Sequence, residues 1–366
     1  MGRQVYENLK VIDITNNYAG PMAGTMLADY GAEGWHIEKP VLGDDSRFFP
    51  PMVDGLSINY CTSNRGKKSV VLDLKDPRGA DAVKKLAAKA DVLLESFRPG
   101  VMKKLGLGYE ELKEINPRLI YCSISAYGQT GPYASRPGYD VIAQAVSGIM
   151  EMTGEPDGMP NKIGPAIGDW MGALNAFGCI GTALYYRSTT GQGQHIDISL
   201  ARSLMWMAAK LDHGITGQVS TRTGNHHSNL APYGIFKGNN NETIVIGILS
   251  AKLWEIFCGL IGKPELIDDE RFCNNAQRVA NRMLLVDIIE EWLRTFAHVS
   301  EAEEILMKAG VPCSKIYNMK DIDADPHYNE CGWIGNMPMA GAMTSVRTRR
   351  FPTNPFEFSA FPADYR

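Results

Sequence analysis

The chain has 366 residues, 44% hydrophobic and 21% charged, with 37 Lys and Arg against 41 Asp and Glu for a net charge of −4. That balance argues against a nucleic-acid partner, which would call for a surplus or clustering of cations, and the composition is globular rather than disordered. No apolar run approaches the roughly 18–20 residues of a membrane helix. The opening MGRQVYENLKVIDI lacks a secretory h-region and cleavage site, so a cytoplasmic protein with no membrane partner is expected.

The first half alternates strand and helix signals. LKVIDI is a buried strand, AGPMAGTMLADYGA a helix ending near Gly31, and EGWHIEKP a second strand stopped by Pro40. Ser69–Leu74 is a third strand, followed by a helix that Asp76 caps and Pro77 opens. ADVLLESF and RLIYCSISAYG continue the pattern. Alternation of this kind predicts βαβ units and an α/β, Rossmann-like parallel sheet covered on both faces.

The middle of the chain reads as helices over 140–152 and 170–187, then the strand GQGQHIDISL and a helix over 201–214. Residues 217–229 are polar and read as a crossing loop. YGIFKGNNNETIVIGIL is a hairpin turning at GNNN. Helices are expected over 251–261, 276–297 and 300–309, and PCSKIYNM as a strand. From His327 onward little periodicity remains. The expected organisation is a large Rossmann-like α/β domain over 1–216, a linker over 217–229, a small α+β domain over 230–318, and a return segment over 319–366 that packs on the large domain.

Several chemistries are absent from the sequence. The first strand–helix junction, ITNNYAGPMAG, lacks the dinucleotide glycine pattern, and no Walker, HExxH or GxSxG motif occurs. Seven cysteines are widely spaced with no CxxC pair, so neither a disulfide scaffold nor a zinc ribbon is expected. His226 and His227 are adjacent in a polar stretch with no further ligand at metal spacing, and no metal is expected.

One acid stands out. Asp169 precedes a long, nearly uncharged helix, approached through Gly164, Pro165 and Gly168. An aspartate there reads as an N-cap, worth about 1 kcal/mol. The small residues Gly172, Ala173 and Ala176 also leave room for close approach of a ligand. Both readings stand on the residues alone.

The chain resembles the family III CoA-transferases, the group of formyl-CoA:oxalate and carnitine CoA-transferases. The resemblance runs from Leu9 to about Met337 and is carried by VIDITNNYAGPMAGTMLADYGAE, HIEKPVLGDDSR, NRGKKSVVLDLKDPRG, VLLESFRPGVMKKLGLGYEEL, SISAYGQTGPYASRPGYDVIAQAVSG, GQGQHIDISL and AGVPCSKIYNMKDIDADPHY. It implies CoA as substrate and product, an acyl-CoA and a carboxylic acid as partners, no metal, and an interlocked homodimer of ring-like chains. It implies that Asp169 is the nucleophile, forming an aspartyl anhydride and then an aspartyl-CoA thioester. It further implies CoA contacts at Tyr18 and Ala19 in the first βα turn, at Lys39 after the second strand, and at Leu72 and Lys75 after the third. Ser96 and Phe97, Lys104, and Tyr139 beside the thioester complete that set.

Three departures from the family pattern carry expectations. Tyr18 stands where oxalate-using members have Gln, and Ile246–Ser250 stands where they have a glycine-rich lid. Both favour an acceptor bulkier than oxalate, such as a hydroxy acid, an enoate or a betaine. The chain ends at FSAFPADYR, where relatives continue into a helix, which is expected to weaken a dimer contact or domain docking. Two rival readings are an α-methylacyl-CoA racemase and a non-catalytic CoA-ester-binding protein. Racemases of this superfamily have His where this chain has Tyr139, and tyrosine is a poor general base near neutrality.

Overall fold

The computed structural model describes residues 4–208, 213–338 and 348–365. The chain divides into two compact units, one of Met1–Met150, Lys162–Gln218 and His327–Arg366, the other of Glu151–Asn161 and Val219–Pro326.

The first unit is built on six parallel strands: β1 (Lys10–Ile14), β2 (Glu33–Glu38), β5 (Lys67–Val71), β6 (Val92–Glu95), β7 (Ile120–Ser125) and β8 (Gln194–Ser199). A small hairpin, β3 (Met52–Val53) with β4 (Leu56–Ser57), interrupts the run. The sheet order is β5-β2-β1-β6-β7-β8. The chain winds outward from β1 to β5, returns, and winds outward again from β6 to β8. The winding therefore reverses between β1 and β6, where a crevice opens beyond the strand C-termini.

Both faces are covered, which is why the central strands read as continuous apolar runs. Ile12, Ile14, Leu93 and Tyr121 point to a core shared with α3 (Pro77–Ala87), α4 (Val101–Lys104) and α5 (Tyr109–Ile115). Val11, Val92, Leu94, Ile120 and Cys122 point the other way, to α1 (Ala19–Asp29), α6 (Asp140–Val146), α7 (Ile167–Thr190) and α8 (Leu200–Ala208). Each fully buried Leu or Ile contributes about 1.5–3 kcal/mol. Helix α2 (Ile58–Asn64) packs with α1, and a short α9 (His213–Thr216) follows α8.

Local chemistry accounts for the element ends. Asp76 accepts from the Arg78 N–H at 2.9 Å, with Pro77 opening α3. The third main-sheet strand lies two to three residues earlier than its apolar letters indicate, because Lys67 and Lys68 complete the pairing with β2 at the sheet edge. Helix α7 begins at Ile167 rather than Trp170 and runs to Thr190, ending at Gly191 with φ 76°. Helix α6 stops at Val146, short of the expected 152. The segment after His327 is more regular than its letters indicate, with α15 (Pro326–Glu330) at its start and an antiparallel hairpin of β12 (Ile334–Pro338) and β13 (Thr348–Pro352). Beyond the hairpin, Phe356 stacks on Tyr30 at the end of α1 with centroids 5.9 Å apart.

The second unit holds an antiparallel sheet of β9 (Tyr233–Lys237), β10 (Thr243–Gly247) and β11 (Cys313–Lys315), in the order β11-β10-β9. Asn240 and Asn241 take φ of 55° and 59° in the hairpin turn, a conformation asparagine tolerates. Helices α10 (Ala251–Leu260), α11 (Asn275–Ala280), α12 (Arg282–Leu293) and α13 (Val299–Lys308) surround a core of Phe236, Ile244, Trp254, Phe257 and Ile289. The single helix expected over 276–297 is broken at Asn281, whose ψ of 26° departs from the helical value. After β11 the chain forms α14 (Met319–Ala324) rather than a longer strand.

Candidate active site

The crevice at the winding reversal is lined by the C-terminal ends of three strands and the starts of three helices. One cavity of about 290 Å³ is walled by Asn16, Tyr18, Ala19, Ser96, Phe97, Arg98, Ser125, Arg136, Tyr139 and Asp169, among others. A second cavity of about 300 Å³ has Lys39, Leu72, Leu74, Lys75, Val101 and Leu105 in its wall. Asn16 and Phe97 belong to both walls.

The loop after β1 is drawn tight. A Cβ on Gly20 would lie 2.3 Å from the Thr15 Cβ, so glycine alone lets α1 start this close to the strand end. Asn17 holds φ at 71° and its N–H donates to Asp44 at 3.2 Å. The Asn16 N–H donates to the Ser96 hydroxyl at 3.1 Å, which joins the loops after β1 and β6 across the reversal. The Phe97 N–H donates to Glu95 at 2.8 Å. Glu95 is buried at the strand end, and that burial pushes its carboxyl up to about 7.

Asp169 occupies the third position of α7 and does not cap it; Ala166 stands at the cap. Its carboxyl has no hydrogen-bond partner among the described residues. Burial, then the nearby Asp140 charge, push it up to about 7. The Tyr18 phenol is raised as well, by burial and by the Asp169 charge it faces. A carboxylate with little solvation and no donor is a good nucleophile and a poor structural acid.

The expected contact residues divide between the two walls. Tyr18, Ala19, Ser96, Phe97, Tyr139 and Asp169 line the first cavity. Lys39, Leu72, Lys75 and again Phe97 line the second. Lys104 is exposed at the end of α4 and belongs to neither wall, although Val101 and Leu105 of the same turn line the second. Lys39 is ion-paired with Asp45.

Sequence reading passed over Asn16, Arg98, Arg136 and Asp140. The letters that flagged Ser96 and Tyr139 lie within two residues of Arg98 and Asp140, and strand-end position was the signal available. His226 and His227 are structural, with the His226 ring tilted against Phe236 at 5.3 Å and His227 Nδ1 accepting from the Asn229 N–H at 3.0 Å. Among the described residues no cluster of three metal-ligating side chains occurs. No described helix is long and apolar enough to cross a membrane.

The sequence profile described as CoA-transferase family III matches residues 6–366. The chain belongs to CoA-transferase family III. It is 42% identical over 324 residues to the acetyl-CoA:oxalate CoA-transferase of Acetobacter aceti, covering 86% of this chain and 82% of that one. It is 38% identical over 361 residues to the succinyl-CoA:glutarate CoA-transferase of Homo sapiens, covering 94% and 80%. Among solved structures, a CaiB/BaiF family protein from Brucella suis superposes with a TM-score of 0.85 at 36% identity, covering 99% of this chain and 95% of that one. The protein is thus an enzyme of the acyl-CoA:carboxylate CoA-transferases, with CoA thioesters as substrates. The non-catalytic reading falls with this membership.

Proposed function

We propose that this family III enzyme transfers CoA from an acyl-CoA donor to a carboxylic acid bulkier than oxalate, by covalent catalysis at Asp169. One observation carries the proposal: a carboxyl without a hydrogen-bond partner among the described residues, held up to about 7, stands in the wall of a cavity at the winding reversal of the sheet.

The chemistry balances without a metal or a net proton. An Asp169 carboxylate oxygen attacks the thioester carbonyl, the C–S bond breaks, and CoA thiolate leaves an acyl-aspartyl anhydride. The thiolate then attacks Asp169 Cγ, the bond from Cγ to the bridging oxygen breaks, and the donor acid departs as carboxylate. Asp169 now carries CoA as a thioester. The acceptor carboxylate attacks Cγ, releases thiolate and forms a second anhydride. The thiolate attacks the acceptor's acyl carbon and regenerates the Asp169 carboxylate. Exclusion of water protects both anhydrides.

The second cavity suits the nucleotide end of CoA. Lys39 and Lys75 supply cations for phosphate as point charges. Leu72, Leu74 and Phe97 supply apolar wall for the adenine. Lys104, exposed on the neighbouring turn, adds a further cation at the rim. Tyr18, Ala19, Ser96 and Tyr139 stand along the path from there to Asp169. The relative named for oxalate makes oxalate the comparison that matters.

An interlocked homodimer is part of the same proposal. Tyr185 on α7 and Trp206 on α8 are 74% and 76% exposed, large aromatic surface that a second copy would cover. Native mass spectrometry at micromolar concentration is expected to give a dimer, and a clean monomer would remove this part.

The central test is incubation with an acyl-CoA followed by hydroxylamine and peptide mass spectrometry. The expected product is a hydroxamate at Asp169. Exchange that proceeds with no modification of Asp169 overturns the covalent route. An acceptor panel of oxalate, glutarate, a hydroxy acid, an enoate and a betaine then reads the acid preference. Deuterium incorporation at the donor's Cα without any acceptor would point instead to racemisation.

A further inference from the structure

Helix α7 is capped from outside. Ala166 offers no side-chain cap. The cap comes from Asp140 at the start of α6, whose Oδ1 accepts from the Gly168 N–H at 2.7 Å. Asp140 Oδ2 accepts from Gln144 Nε2 at 2.8 Å, and Gln144 Oε1 accepts from the Ile163 N–H at 2.9 Å. The carboxylate is thereby clamped, and so is the turn that leads into α7. A Cβ on Gly168 would stand 2.9 Å from Asp140 Oδ1, so the clamp needs glycine there.

An acid in the first turn of a helix ordinarily finds a donor among the free N–H groups of that turn. Asp169 is such an acid and has none among the described residues. We propose that Asp140 is a positioning residue for the transfer reaction: by occupying the Gly168 N–H it denies that donor to Asp169 and leaves the Asp169 carboxylate free to face the cavity. The inference rests on the transferase reading above and concerns how its nucleophile is kept reactive. The fixed negative charge of Asp140 works in the same sense, because it disfavours a second carboxylate beside it.

Other charged groups have to be weighed. The elements packed on α7 bring Asp29 on α1, His195 and Asp197 on β8, and Arg202 on α8. The cavity wall adds Asp45, Arg98, Arg136 and the Tyr18, Tyr127 and Tyr139 phenols. Of all these, Asp140 is the charge that acts on Asp169.

The test compares wild type, Asp140→Asn and Gln144→Ala. Asp169 is titrated by 13C NMR of its carboxyl, and acylation is followed as thiol release from an acyl-CoA across pH. In Asp140→Asn the Asp169 midpoint is expected to fall by about one unit. The plateau acylation rate is expected to fall about threefold, since a weaker base is a weaker nucleophile and the Brønsted slope is well below one, with KM for acyl-CoA unchanged within about twofold. Gln144→Ala loosens the clamp but keeps the charge, so a smaller shift in the same direction is expected. A midpoint that stays at the wild-type value while the rate falls overturns the inference and makes Asp140 merely structural. Should Asp140→Asn not fold, Gln144→Ala decides alone, and a wild-type midpoint and rate in that variant overturn the inference. If wild type itself forms no adduct at Asp169, the transferase mechanism fails, whereas the NMR midpoints still decide the role of Asp140.

Discussion

Two carboxylates in the first unit have opposite fates. Asp13, in the middle of the sheet, is fully buried and fully paired. Lys67 Nζ lies 2.7 Å from it, the His36 ring 3.4 Å, and the Thr15 N–H donates at 3.0 Å. Burial alone would raise the Asp13 carboxyl, yet the Lys67 and His36 charges hold it far below the ordinary range. His36 in turn reaches Asp44 at 3.2 Å, and Asp44 anchors the Asn17 backbone of the active-site loop. Asp169 sits in the first turn of α7 in the cavity wall, partly buried, with another acid near it and no donor among the described residues. Both carboxylates have lost water. The first recovers the cost through partners and serves as a frame, while the second finds no such partner among the described residues.

The largest expected effect removes the second carboxylate of this comparison, the proposed nucleophile. Asp169→Ala is expected to lower CoA exchange by at least about 10³-fold, with CoA-ester binding by calorimetry largely retained. Substantial residual turnover would place the nucleophile elsewhere. On the other side, Lys67→Met strands Asp13 without its cation and is expected to cost about 3 kcal/mol in urea unfolding. An unchanged urea midpoint would show that His36 alone suffices for Asp13.

The pH dependences have opposite signs. Asp13 is lowered in the fold, so its stabilisation is present above the unfolded value and fades as pH falls into the acid range. Asp169 is raised, so the folded protein holds the proton more tightly, and stability declines as pH rises from the ordinary aspartate range to about 7. Asp169→Asn is therefore expected to gain melting temperature over wild type progressively between these limits and then level off. A gap that is constant with pH would mean the carboxyl is not raised. In the same window the acylation rate of wild type is expected to climb about tenfold per pH unit and flatten above about 7. The smallest effect concerns the outer rim. Lys39→Gln is expected to raise KM for acyl-CoA several-fold with kcat little changed, and the difference should shrink with added salt. Salt independence would remove Lys39 from phosphate binding.

Much of this was legible in the letters. The alternation of buried strands with helices could be read because a strand covered on both faces must be apolar throughout, as in VLLE and IYCSIS. Asp169 drew notice as an acid before a long, uncharged, small-residue helix, but its letters fit a helix cap equally, and only the family resemblance favoured a nucleophile. The break at Asn281 could not, since both flanking helices share one apolar periodicity. Nor could the hairpin of β12 and β13, whose strands are short and poor in branched residues.

The sequence by itself marked the six main strands of the parallel sheet, and its family resemblance singled out Asp169 as the candidate acid. The strands follow from local periodicity and from residue types that burial alone constrains, whereas the acid stood out through the motif that surrounds it. Only the tertiary structure decided that Asp140, 29 positions earlier, would take the N–H next to Asp169, and that Lys67 and His36 would neutralise Asp13. Whether a buried carboxylate is paired or left bare depends on which side chains converge on it in space, and charge is fixed by neighbours within a few ångströms rather than by neighbours in the chain.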